Sequence, residues 1–111
     1  MQHERIPEIG VRDAAASEAL LLDVREPEEW QAGHAPGAVH VPLGDLPSRV
    51  DELPTGVPIL CICRSGNRSA RATAWLRAQG RDATNTTGGM AAWVAAGLPL
   101  VDEAGRPGVV A

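Results

Sequence analysis

Apolar and polar positions fall in blocks along this chain. Two stretches of strand length are apolar almost throughout, Ala19–Val24 (ALLLDV) and Val57–Cys63 (VPILCIC). That pattern belongs to strands buried on both faces. GAVHVP, residues 37–42, reads as a shorter strand ended by Pro42, and an edge strand is expected around Ile6–Ile9. DATNTT, residues 82–87, makes a weak, polar strand that leaves the stability of its edge in question.

Helical patterns fill the intervals. NRSARATAWLRAQG, residues 67–80, is the best of them: Ala72, Trp75, Leu76 and Gln79 share a face, Arg71 and Arg77 lie outside it, and Gly80 ends it. EPEEWQAGH, residues 26–34, is a short helix with Pro27 at its first position, Glu28 and Glu29 against the N-terminal dipole, and Gly33 at its C-cap. VRDAAASEA, residues 11–19, makes another. LGDLPSRVDELP, residues 43–54, is helical but interrupted at Pro47. GMAAWVAAGLP, residues 89–99, is the last helix, stopped by Gly97 and Pro99, and residues 101–111 read as a loosely held tail.

Strands alternating with helices imply an α/β domain with a mainly parallel sheet covered on both faces. A chain of 111 residues fits one such domain, residues 1–111. With three Trp and neither Phe nor Tyr, the core must be filled by Ala, Val, Leu and Ile. Ligands of such folds bind beyond the carboxyl ends of the strands, and Cys63 sits at one of those ends.

Charge and cysteine content narrow the class. The formal net charge is -4 and every positive residue is Arg. This argues against a nucleic-acid surface, so an anion site must be built locally from Arg and backbone amides. Two cysteines one residue apart are no disulfide framework. His3, His34 and His40 have no metal-ligand spacing, so no metal is expected. With no apolar signal region and no long apolar run, no membrane contact is expected, and the default compartment is the reducing cytoplasm. Nothing in the sequence demands more than a monomer.

The candidate chemistry lies in CRSGNRS, Cys63–Ser69. A thiol at a strand end, followed by a tight loop into a helix, gathers backbone N–H groups around its sulfur. The helix N-terminus adds about half a positive charge. Arg64 and Arg68 add full charges where they point inward. Such settings lower a cysteine pKa from about 8.5 into the range of roughly 3.5–7.5. Gly66 allows the tight turn, and Asn67 or Ser69 is placed to cap the helix or brace the loop. No general base is needed where the loop itself holds the sulfur ionised. Cys61, inside the strand, reads as core packing.

CRSGNRS resembles the active-site loop of the rhodanese family of sulfurtransferases. LLDVREPEEWQAGHAPGAVHVPL resembles the family's first signature and GGMAAWVAAGLPL its C-terminal one, so the likeness runs from about Leu20 to Leu100. It implies a rhodanese-like domain with a five-stranded parallel sheet and helices on both sides. It implies that Cys63 carries a sulfane sulfur as a covalent persulfide, with no other cofactor, from thiosulfate or a related donor to cyanide or a thiol. Arg64, Ser65, Gly66, Asn67, Arg68 and Ser69 would cradle the sulfur and the substrate anion. The expected partners are small sulfur anions and thiol acceptors, or a sulfur-relay protein that takes the persulfide from a carrier module. Four residues separate Cys63 from Arg68; phosphatases of this fold have five, in a wider cradle, which argues against phosphoryl chemistry. A basic residue at Arg64 favours thiosulfate over 3-mercaptopyruvate.

By the same resemblance Asp23, Arg25, Glu29 and His34 are structural supports that bind neighbouring loops together. Trp30, Trp75 and Trp93 are packing residues, and Gly88 and Gly89 allow a tight turn near the site. Ala35 and Ile62 depart from the family pattern, where Ile and an aromatic are common, and imply smaller packing with the chemistry retained.

Overall fold

The structure, a computed structural model, describes residues 5–111; His3 lies outside the described residues. Five strands form one sheet: β1 (Glu8–Ile9), β2 (Leu20–Asp23), β3 (Val39–His40), β4 (Ile59–Ile62) and β5 (Ala83–Thr86). The helices are α1 (Val11–Ala16), α2 (Pro27–Ala32), α3 (Leu46–Arg49), α4 (Asn67–Ala78) and α5 (Gly89–Ala95). The strand order is β1-β5-β4-β2-β3, and every pairing is parallel. The expected parallel α/β architecture is therefore present.

β4 lies at the centre, and all four of its residues are buried. Its alternate side chains enter two different cores, as the period of two in a strand requires. Ile59, Cys61 and Cys63 join Leu22, Val24, Val41, Leu46, Leu53, Ala72 and Leu76 on the face covered by α3 and α4. Leu60 and Ile62 join Ala14, Ala35, Met90 and Trp93 on the face covered by α1 and α5. Ala35 is 1% exposed, so the small side chain there is fully packed.

Four details differ from the sequence expectations. β5 is not an edge: it pairs with both β1 and β4, and its Asn85 and Thr86 are buried. The buried face of α4 is Ser69, Ala72, Thr73 and Leu76, with Trp75 partly buried, whereas Gln79 is exposed. The Thr73 hydroxyl donates to the Ser69 carbonyl at 2.8 Å, which lets a polar residue sit on this face. Pro47 does not interrupt a long helix. It stands in the first turn of α3, a four-residue helix flanked by 3₁₀ turns at Leu43–Asp45 and Val50–Glu52. Residues 101–111, read as loosely held, are tied down by backbone. His34 and Val101 exchange hydrogen bonds at 2.8 and 2.9 Å, and the Val109 amide donates to Ala32 at 2.9 Å. Val110 packs against the second core.

Candidate active site

The site is assembled where β4 ends. Cys63 follows the strand directly, and Ser65 and Gly66 turn the chain into α4. Gly66 is the N-cap of α4 with φ +111°, a left-handed conformation that a side chain would strain. No side chain caps the helix. Asn67 is its first residue and exposed, and Ser69 is turned inward.

The loop carbonyls are drawn away from the sulfur. The amides of Met90 and Ala91, in the first turn of α5, donate to the carbonyls of Cys63 and Arg64 at 2.7 and 2.9 Å. Gly89 permits this approach: its φ is +57°, and a Cβ there would collide with the Cys63 and Arg64 carbonyls. With the carbonyls committed to α5, the following N–H groups face the thiol. The Gly66 amide donates to Cys63 Sγ at 3.1 Å and the Ser69 hydroxyl lies 3.2 Å from it.

These contacts decide the charge on the sulfur. Burial pushes the Cys63 thiol up, but hydrogen bonds from the Ser69 hydroxyl and from the amides of Ser69, Gly66 and Ser65 outweigh it, and the pKa lies below the ordinary value. Cys61 is the opposite case. Burial pushes it up to about 11, with Thr73 opposing and the neighbouring Cys63 charge adding to the rise. The surroundings thus favour the thiolate at Cys63 and disfavour it at Cys61.

The two arginines of the loop hydrogen-bond elsewhere, although the Arg68 charge is still felt at Cys63. Arg68 forms a forked ion pair with Glu29 of α2, at 2.6 and 2.9 Å. The Arg68 hydrogen bonds, opposed by desolvation and helped by the Glu26 amide, hold the Glu29 carboxyl down at about 2. The pair clamps α2 across the start of α4. Arg64 turns outward, its Nε donating to the Ala111 main-chain oxygen at 2.9 Å.

The other supports meet behind this clamp. Asp23 and Arg25 are wholly buried and paired at 2.8 Å, and Arg25 Nη2 also donates to the Gly33 carbonyl at 2.7 Å. The end of β2 is thereby joined to the end of α2. His34 Nδ1 lies 2.7 Å from the Trp30 carbonyl, and its ring stacks on the Trp30 indole at 3.6 Å between centroids. His40 stacks on the same indole at 4.8 Å. Trp93 Nε1 donates to the Pro99 carbonyl at 2.7 Å.

Sequence reasoning missed Asn85. Its Oδ1 lies 2.6 Å from the Ser69 hydroxyl, and its Nδ2 reaches the Gly66 carbonyl at 3.2 Å. A polar residue in the middle of a strand next to the central one was the available signal.

A parallel α/β sheet with a hydrogen-bonded thiol of lowered pKa at its carboxyl edge puts a polarised cysteine where ligands of such folds bind, and the comparisons narrow this further. The rhodanese-like domain model matches residues 11–96. A sulfurtransferase of Allochromatium vinosum is 39% identical over 95 residues, which are 85% of this chain and 89% of that one. The crystal structure of a rhodanese-related protein from Thermoplasma volcanium superposes with a TM-score of 0.83 at 30% identity, covering 87% of this chain and 99% of that one. An NAD-dependent persulfide reductase from A. fulgidus superposes with a TM-score of 0.69 at 32% identity, covering 79% of this chain but only 16% of that one. This chain belongs to the rhodanese-like domain family.

Proposed function

We propose that the chain is a thiosulfate sulfurtransferase working through a Cys63 persulfide. The thiolate attacks the outer sulfur of thiosulfate, the S–S bond breaks, and sulfite leaves with the bonding electron pair. Cyanide or a thiol then attacks the outer sulfur of the persulfide and regenerates the Cys63 thiolate. The observation that carries this reading is the environment of Cys63 Sγ, with the Gly66 amide at 3.1 Å and the Ser69 hydroxyl at 3.2 Å at the head of a twelve-residue helix. These donors stabilise a charged sulfur and are fixed before reaction. The similarity to a sulfurtransferase along most of both chains supports the same chemistry.

Incubation with thiosulfate should add one sulfur atom to the intact protein, removable by cyanide. Cys63→Ser should abolish this and Cys61→Ser should not. An unchanged mass after thiosulfate overturns the choice of donor, and equal loss in Cys61→Ser overturns the assignment of roles.

A second reading makes the chain a persulfide carrier for a protein partner. It is favoured by the likeness to a small part, 16%, of a longer persulfide reductase chain. Comparing kcat/KM for thiosulfate with transfer from a protein persulfide donor separates the two.

A further inference from the structure

The buried Ser69 hydroxyl carries one proton, and two acceptors compete for it. Cys63 Sγ lies 3.2 Å away and Asn85 Oδ1 only 2.6 Å away. Ser69 is 0% exposed and Asn85 3%, so water does not replace a missing partner. The orientation of the Asn85 amide is settled by its other contacts. Nδ2 faces the Gly66 carbonyl at 3.2 Å and the Glu8 carboxylate at 3.4 Å, both acceptors, which leaves Oδ1 toward Ser69.

We propose that Asn85 is a positioning residue that holds the Ser69 proton while the Cys63 sulfur is neutral and yields it to the sulfur when the sulfur is ionised. In the thiol, S–H donates to Ser69 Oγ and Ser69 donates to Asn85. When the thiol loses its proton to solvent, the hydroxyl turns and donates to the thiolate, and the short bond to Asn85 is released. The Ser69 proton never leaves Ser69; only its direction changes. In a persulfide the inner sulfur is neutral again, and the hydroxyl turns back. That last clause rests on the sulfur-transfer reading, whereas the behaviour of free Cys63 does not. A fully buried hydroxyl thus has an acceptor in every state, and no state bears the cost of an unpaired donor.

The competition has a sign. Asn85 draws the hydroxyl away from the thiolate, so losing its acceptor lowers the Cys63 pKa, while losing Ser69 raises it. The other charged or titratable groups near the sulfur are Cys61 on β4, Arg64 on the loop, and Arg68 with its partner Glu29 from α4 and α2. Asp23 and Arg25 lie at the end of β2, and Glu8 of β1 touches the far side of Asn85. The variants below replace none of these; those at Asn85 also release its Nδ2 contacts to Glu8 and the Gly66 carbonyl, a loss that is the same with and without Ser69.

The test is the pH dependence of iodoacetamide alkylation at Cys63 in the full chain, read by mass on the Cys63 peptide. Ser69→Ala should raise the apparent pKa by about 0.5–1 unit, the worth of one hydrogen bond. Asn85→Leu, similar in size and without an acceptor, should lower it by a comparable amount, and should do nothing in the Ser69→Ala background. Equal shifts in both backgrounds, or no shift with Ser69 present, overturn the proposal. If Asn85→Leu does not fold, Asn85→Asp decides. Its stronger acceptor should raise the Cys63 pKa more with Ser69 present than in the Ser69→Ala background, and an equal rise in both overturns the proposal. The readout needs no sulfur donor, so a failed thiosulfate assay and a failed relay remain separate results.

Discussion

Glu29 stays ionised far into acid because Arg68 grips both of its oxygens. A carboxyl with a depressed pKa stabilises the fold fully above its unfolded value near 4.5, and the contribution is lost as pH falls through that value toward 2. Glu29→Gln should therefore cost about 1–2 kcal/mol at pH 6, after discounting for the partial exposure of the pair. Urea midpoints should show the gap between wild type and variant closing between pH 4.5 and pH 2, and a gap that persists there removes the ion pair as its source. Asp23 and Arg25 form a harsher case, since neither touches water. Asp23→Asn leaves a buried guanidinium uncompensated and should cost about 3–5 kcal/mol in the same experiment. Cys63 supplies the matching expectation for activity. Its thiolate persists below the ordinary thiol range, so sulfur loading should fall off in acid as pH passes through the depressed pKa. A loading rate that instead follows an unshifted thiol would contradict the hydrogen bonds around it.

At the scale of elements, the active loop is shaped by its neighbour in sequence on one side and by α5 on the other. Gly89→Ala adds a Cβ against the Cys63 and Arg64 backbone at a left-handed φ. It should cost about 2–3 kcal/mol. Gly56→Ala, also left-handed but with open space around it, should cost only about 1 kcal/mol. Equal denaturant midpoints for the two variants would mean that the α5 approach does not constrain the loop. These elements also mark what the sequence makes legible. The two apolar runs become β2 and β4, and CRSGNRS becomes a turn into a helix, because local pattern and local chemistry agree there. The polarity of ATNT misleads because it answers to a distant demand. Asn85 bonds Ser69, sixteen residues earlier; its polarity within a strand marks it as a residue that needs a partner, but no local pattern says which element supplies one. The partners that Arg64 and Arg68 take in the structure, Ala111 and Glu29, are equally out of local reach, standing 47 and 39 residues away.

In the whole molecule, the parallel order places β4 between β2 and β5, so the thiol is carried by the most protected strand. The alternation along that strand also separates the duties of the faces, one holding Cys61 and Cys63 under α4, the other packing Ile62 under α5. The tail, residues 101–111, packs on the domain. It crosses back to α2 at Ala32 and ends on Arg64, binding the first signature to the active loop. Removal of residues 107–111 should destabilise the fold by about 1–2 kcal/mol, through the lost packing of Val110, and release the exposed Arg64 from its Ala111 partner. The KM for thiosulfate should then move while kcat stays near wild type; a change confined to kcat would place the tail's effect in the chemistry of Cys63. The path of this tail was hidden in the sequence because its hold is mostly backbone to backbone, and main-chain hydrogen bonds leave no mark on residue type.

The stacking of Trp30 on two imidazoles has an optical consequence. With no Tyr in the chain, ultraviolet emission comes from three indoles alone. Trp30 follows Glu29 directly on α2, and its ring lies against His34 and His40. An event in the active loop that loosens the Glu29–Arg68 grip should therefore shift this ring against its neighbours and change its emission. Titration with thiosulfate should then change the indole emission, and an emission that stays constant while sulfur is loaded on Cys63 would show that the Glu29–Arg68 grip does not respond to the site.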